Sequence, residues 1–372
     1  MIDLASLIGP WIEVVRDQVP GLELFDAHLH IGQNDPDGMH ATPEEIVETL
    51  ELAGAVGGFV FPMHEPDGYP PANDMVLEAA ERANGLLVPF CRVNPHDHAL
   101  AEAKRCLSAG ARGIKLHPRA EEFTLDHPGV RPLVALAAER RLPVLIHAGR
   151  GIPALGAHAV ALAGEFPDAR LILAHAGICD LGWIWHAAAD HPNLLFDTAW
   201  WMPADLAALF ALVPPGQIVF ASDAPYGSTT MAGALIRTAL QAGLSPDQVR
   251  SVTSGQSLRL AAREPLEPAG PAVGARERAP HVLLDRVAEF LLLTAIASMR
   301  GGDGSEMLAL ARLACDVPAD IDDAPVFAAI LRLLDSFEEA AAAYPDDRRS
   351  MTFLILATIV ARTPDVAVPG IV

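Results

Sequence analysis

Eight short apolar runs, each followed by a longer segment of helical character, fill the first two-thirds of the chain. The runs are residues 24–31 (LFDAHLHI), 58–63 (GFVFPM), 87–93 (LVPFCRV), 113–118 (GIKLHP), 143–148 (PVLIHA), 170–176 (RLILAHA), 193–199 (NLLFDTA) and 217–223 (QIVFASD), with starts 23 to 34 residues apart. Between them, segments such as 43–55, 129–140, 154–165 and 229–241 repeat apolar residues at three and four, the spacing of one helix face. Strand and helix in alternation give a parallel sheet, and eight such units predict an α/β fold of the (β/α)8 TIM-barrel type. A doubly wound nucleotide-binding sheet is the rival, but no GxGxxG follows the first run and no GxxxxGK[ST] occurs.

The pattern stops at Ala262. Residues 263–280 are rich in Pro, Gly and Ala without apolar period and read as a linker, separating a barrel over 1–262 from an all-helical C-terminal extension over 281–372. Helices are expected at 281–299, 305–315, 324–343 and 349–362, and Val326, Phe327, Ile330, Leu331, Leu334 and Phe337 make one apolar face. That face fits a bundle packed on the barrel, or a homodimer or partner contact. The acidic stretch 316–325 lacks the Gly and Glu of a calcium loop, so Asp322 or Asp323 is read as a helix N-cap ahead of Pro325.

The formal charge of -21 argues against a nucleic-acid partner, which needs clustered Lys and Arg. No uncharged apolar run reaches the ~18 to 20 residues of a membrane span, and the first twenty residues lack a leader pattern. Four scattered cysteines fit reduced thiols and a cytoplasmic location.

Chemistry concentrates at the ends of the runs. His28 and His30 are i and i+2 of the first, on one side of a strand with Cα atoms ~6.6 Å apart, so both imidazoles can grip one ion. Lys115 and His117 end the fourth run, His147 the fifth, His175 the sixth and Asp223 the eighth. In a barrel all of these ends face the same side. Imidazoles with a carboxylate suit Zn²⁺ and similar divalent ions, and a catalytic zinc keeps one position open for water.

DAHLHIG, GIKLHP, PVLIHAG, LILAHAG and SDAPYG, with GQSLRLA at 255–261, together resemble the amidohydrolase superfamily, in its amidohydrolase-related branch, over about residues 22–262. The resemblance implies a metal held by His28, His30, His147 and Asp223, with Asp223 also the general base and His175 either a ligand of a second metal or the group that orients water. Lys115 is implied either as a carboxylated bridge between two metals or, with one metal, as a clamp for a substrate carboxylate or an oxyanion. One metal per chain is the first reading and two the alternative. The branch holds hydrolases and decarboxylases. His147 is followed here by Ala148-Gly149 rather than proline, which tilts the expectation to hydrolysis of an amide, ester or lactone, with decarboxylation of a small acid as the alternative. A non-catalytic metal-binding scaffold is the reading from another class. His117, Arg150 and Trp200 are expected to touch the small-molecule substrate, and Asp197 to support a ligand.

Overall fold

Each apolar run becomes parallel strand, and from the third run onward the paired stretch is shorter than the run. The computed structural model describes residues 4–36, 38–149, 152–153, 155–275, 281–345 and 347–370. Its strands are β1 (Leu24–Ile31), β2 (Ala55–Pro62), β3 (Leu87–Pro89), β4 (Cys91–Arg92), β5 (Ile114–Leu116), β6 (Pro143–Ile146), β7 (Arg170–Leu173), β8 (Leu194–Asp197) and β9 (Ile218–Val219). β3 and β4 share the third run. They change neighbour at Phe90, whose N–H bonds the Val60 carbonyl of β2 at 2.8 Å, before Cys91 turns to Gly113 at 3.0 Å. From β4 to β9 each strand pairs with the next, all parallel. Bonds from Ala27 N to Phe220 O and from His30 N to Ala224 O, both 2.8 Å, bring the last run back to β1. The expected α/β barrel is the fold, with helices filling the C-terminal region.

The interior is filled by Phe59, Phe61, Phe90, Leu145, Ile172 and Leu195 among others. β1 does not alternate simply. Phe25 and Ala27 pack in this inner cluster, whereas Leu29 and Ile31 pack outward with Ile46 and Leu50 of the helix Pro43–Ala53. A register shift between Asp26 and Leu29 separates the two halves, as a bulge does. Asp26 therefore lies outside the wall and His28 and His30 inside. Gly58 makes the irregularity possible, because a Cβ there would lie 2.5 Å from Leu29 Cδ1 and 2.7 Å from the Asp26 carbonyl.

An N-terminal helix, Leu4–Gln18, that periodicity did not single out packs its Ile8, Trp11, Ile12 and Val15 against the barrel, touching the helix Thr229–Leu235. At the other end, Val282–Met299, Ser305–Ala314, Ala324–Ala343 and Met351–Arg362 form the helical region. The last of these packs between the first and third and rests on the barrel helices Pro203–Leu212 and Thr229–Leu235. Residues 264–275 lie along the barrel: Gln256 Nε2 donates to Glu267 O, Gln248 Nε2 to Ala269 O and Gly274 N to Ala211 O. Asp323 does stand at the N-cap of Ala324–Ala343, but its carboxylate accepts from His281 Nε2 at 2.7 Å instead of capping the helix. No helix among the described residues is long and apolar enough to cross a membrane.

One buried side chain pins the C-terminal segment to the barrel. Arg237 is fully buried, lies over the Trp11 ring, and donates to Thr363 Oγ1 at 2.6 Å and to the carbonyls of Thr363, Val366 and Ala367. Burial pulls its pKa down to about 10, and with no carboxylate partner among the described residues it remains a cation solvated by oxygen dipoles. Hydrogen bonds to a charged group contribute about 1.5–3 kcal/mol each when made and leave costly orphans when lost. Arg237→Met is therefore expected to destabilise the protein by about 2–4 kcal/mol, read as a lowered midpoint of urea unfolding; an unchanged midpoint would show that the contact contributes nothing.

Candidate metal centre

Four of the candidate residues lie beyond the ladder. β5 stops at Leu116, β6 at Ile146, β7 at Leu173 and β9 at Val219, so His117, His147, His175 and Asp223 all lie past the last paired residue, on the C-terminal face of the barrel. Freed from the ladder, the backbone turns sharply there. His175, Ala176 and Asp223 sit at φ of 57°, 56° and 61°, the left-handed region that L-residues avoid and that recurs at functional sites.

Three atoms define the centre. His28 Nε2 lies 3.1 Å from His30 Nε2 and 3.0 Å from Asp223 Oδ1, and His30 Nε2 lies 3.1 Å from the same oxygen. The far side of each ring fixes its tautomer. His28 Nδ1 is 2.7 Å from Asp197 Oδ2, an acceptor, so Nδ1 carries the proton and Nε2 presents a lone pair. His30 Nδ1 faces the Pro62 carbonyl at 3.4 Å and is assigned in the same way. The remaining Asp197 oxygen accepts the backbone N–H groups of His175 and Ala199, so one carboxylate fixes both a ring and a turn.

Three lone pairs converging in a buried place repel unless a cation lies among them. The only hydrogen-bond donor the described residues bring to this cluster is Lys115 Nζ, 3.1 Å from His28 Nε2. Tetrahedral bonds of about 2.0–2.2 Å hold neighbouring ligand atoms roughly 3.3 Å apart, so the observed triangle fits one divalent ion with little movement. These three residues also form the one group of potential ligand atoms close enough to share an ion among the described residues.

Burial and Lys115 lower the pKa of His28, but Asp223 and Asp197 outweigh them and raise it. Burial opposes ionisation of Asp223, yet the neighbouring His28 and His30 outweigh it and hold the carboxyl well below its usual range. Burial drives His30 down to about 3. Burial likewise pulls Lys115 down to about 7, against the raising influence of Asp223, while its ammonium lies over the Phe61 ring at 4.5 Å.

A second electron-rich gap lies beside the first. His147 Nε2 donates to Gly149 O at 3.0 Å and His175 Nδ1 to Ala199 O at 2.8 Å, which leaves His147 Nδ1 and His175 Nε2 as facing lone pairs 2.9 Å apart. Burial, together with neighbouring charge, holds His147 well below its ordinary range, and His175 is lowered too. Gly149 permits the pairing, since a Cβ there would lie 3.0 Å from His175 Cδ2. The expected ligand His147 is thus placed with His175, while the triangle is made by His28, His30 and Asp223. His117 stacks on His147 at 3.8 Å, and its Nδ1 accepts from Ala120 N, so Nε2–H is left as a donor.

Aromatic rings border the site. Trp200 stands 6.2 Å from His175 with its Nε1 bonded to Asp205, and Trp201 flanks it. Tyr226, which sequence reasoning passed over although it lies in SDAPYG, meets His30 edge-on at 5.4 Å and donates to Asp35 Oδ2. Arg150 lies outside the described residues.

The family model described as amidohydrolase matches residues 25–260. No curated protein matches the chain. Among solved structures, an uncharacterized TIM-barrel protein from Bordetella bronchiseptica is 19% identical and matches 65% of this chain and 99% of its own, with a TM-score of 0.53. A 2,6-dihydroxybenzoate decarboxylase from Rhizobium is 14% identical over 65% of this chain and 99% of its own, with a TM-score of 0.53. A 5-carboxyvanillate decarboxylase from Novosphingobium aromaticivorans, solved with manganese and a nitrobenzoic acid, is 13% identical over 65% and 96%, with a TM-score of 0.52.

Asp197 should matter to any ion held by the triangle although its carboxylate faces His28 Nδ1 instead. Partners that orient a ligating histidine typically contribute 10–100-fold to metal affinity, so Asp197→Ala is expected to weaken binding by about that factor in competition with a chromogenic chelator. Unaltered affinity would remove Asp197 from the centre.

Proposed function

The chain belongs to the amidohydrolase family, and from that premise we propose that it is a metal-dependent hydrolase cleaving an amide, ester or lactone of a small molecule. The observation that supports this most is the triangle of His28, His30 and Asp223, whose lone pairs converge with no donor but Lys115 among the described residues. Two imidazoles and a carboxylate fit Zn²⁺, with Mn²⁺ also suited. When bound, such an ion supplies Lewis acidity, bringing the pKa of water towards ~7 and polarising a substrate oxygen.

The residues then divide the work. Asp223 keeps its carboxylate ionised, and with Oδ1 turned to the imidazoles its Oδ2 takes a proton from the attacking water as that oxygen bonds to the carbonyl carbon. The same proton passes to the leaving nitrogen or oxygen as its bond to carbon breaks. Lys115 balances the charge that develops on the carbonyl oxygen, or clamps a carboxylate of the substrate. His117 offers its Nε2–H to the substrate, and Trp200 lines the side nearest His175. Arg150 keeps its proposed substrate role from the sequence.

Two further readings have support. The facing lone pairs of His147 and His175 require either a shared proton or a second ion, and with a second ion Lys115 becomes the carboxylated bridge. Decarboxylation of an aromatic acid is favoured by the rings of Trp200, Trp201 and Tyr226 around the site. We place the enzyme in a reducing cytoplasm, in keeping with its four free cysteines, and leave the C-terminal helices as the proposed surface for any homodimer.

Elemental analysis of the purified protein is expected to find about one tightly held divalent ion per chain, and about two would make His147 and His175 its second pair of ligands. No ion, even after reconstitution, would sink the proposal. In the loaded enzyme, Asp223→Asn should lower turnover by about 10²–10⁴-fold on whichever of a panel of carboxylated lactones, amides and aromatic acids is consumed. Release of CO₂ instead of a new carboxylic acid would decide for decarboxylation. Lys115→Met should leave a single ion in place while weakening substrate binding, and loss of one ion of two would identify the bridge.

A further inference from the structure

We infer that Asp26, which faces away from the ion, is a positioning residue that fixes the two halves of the metal centre against each other. The inference rests on the reading of His28, His30 and Asp223 as metal ligands. Those ligands come from opposite ends of the barrel sequence, and the side chain that bridges the two segments is Asp26. It is fully buried. Its Oδ1 accepts the backbone N–H of His28 at 3.1 Å and that of Ser222 at 3.0 Å, across 196 residues of sequence. Its Oδ2 accepts Thr229 Oγ1 at 2.7 Å, and the Thr229 hydroxyl meets Ser222 Oγ at 3.3 Å. Ser222 Oγ in turn accepts the N–H of Ala224 at 3.1 Å, and the Asp223 carbonyl accepts from Gly227 N at 3.0 Å.

Asp223 is thus bracketed. The peptide before it is held by Asp26, the peptide after it by Ser222, and the residue between is kept at φ 61°, in the left-handed region that most non-glycine residues avoid. The direction of its carboxylate depends on that backbone angle, so releasing the bracket swings Oδ1 away from the two imidazoles. The bulge in β1 is what allows one segment to serve both purposes: Asp26 reaches outward to Thr229, and His28 reaches inward to the ion. None of the three groups that donate to Asp26 is a cation, so what they require is oxygen at fixed places rather than negative charge.

That distinction sets the experiment. Full-length protein is loaded with Co²⁺, whose visible absorption reports coordination geometry, and its affinity is measured by chelator competition. Asp26→Ala is expected to weaken Co²⁺ binding at least tenfold and to change the visible bands. Thr229→Val should do the same more weakly, by severalfold. Asp26→Asn retains an oxygen for the two backbone N–H groups and should recover most of the affinity and the wild-type spectrum. Arg237→Met serves as the control for general destabilisation and should lower stability with the spectrum unchanged. Wild-type spectrum and affinity in Asp26→Ala would overturn the inference, as would an Asp26→Asn variant as defective as the alanine, since charge and not position would then be the requirement. If Asp26→Ala does not fold, Thr229→Val decides, and wild-type behaviour there overturns the inference. Wild-type protein that takes up no Co²⁺ at all would overturn the metal reading itself and this inference with it, an outcome separate from those in which only the variants fail to respond.

Discussion

The backbone bond from His30 to the Ala224 carbonyl is the constraint on which the site depends, because it makes the first strand of the chain a neighbour of the last. Two histidines near residue 30 and an aspartate at 223 have no local reason to meet. Closure of the barrel gives them one, and brings their lone pairs to 3.0–3.1 Å of one another. The remaining chemistry is arranged around that seam. Lys115 and Asp197 reach it from across the interior, His147 and His175 make an adjoining pair, and a ring of aromatic side chains borders it. A barrel that failed to close would retain every strand-forming run and every candidate residue, yet would assemble no centre.

Much of this was legible in the sequence, for reasons that differ by residue. His28 and His30 were readable because a strand puts i and i+2 on one side, and that local rule survives the bulge just before them. Lys115, His117, His147, His175 and Asp223 were readable because each ends an apolar run, and the ends of barrel strands share a face. What could not be read was the angular arrangement. Whether His147 joins the triangle or faces His175 depends on the tautomers and turns set by Gly149 and Ala199, which leave no periodic trace. The bulge in β1 is equally silent in sequence, and its neighbour β2 was expected to begin at 58 rather than at Ala55. Most of the apolar runs continue past the C-terminal ends of their strands, because His, Ala and Ser there look no different from ladder residues. Arg237 gave no signal at all, since a lone arginine in a helix is ordinarily solvated.

The distribution of basic residues carries its own physical message. Of 26 in the chain, only Lys104 and Lys115 are lysines, and Lys115 is fully buried at the centre. Arginine cannot give up its proton within a protein, whereas lysine can when desolvated. A chain that uses arginine almost everywhere else places a lysine where a cation close to losing its proton lies against His28 Nε2. Arg92, also buried, shows the opposite use. Its guanidinium is bound by Glu121 and lies over the Tyr69 ring, a fixed charge with a fixed partner.

The cradle that receives Arg237 bears on how the protein is made. Thr363 is synthesised 126 residues after the arginine it accepts. At translation rates of about 5–20 residues per second, the interval is roughly 6 to 25 seconds. During that time the barrel sequence is made, but the helical face around Arg237 lacks the C-terminal segment that completes its cover. The nascent chain must therefore keep that guanidinium in water and its apolar surroundings open until the C-terminal segment arrives. This is the stage of biosynthesis at which a chaperone, or an unrelated chain, finds the most to hold.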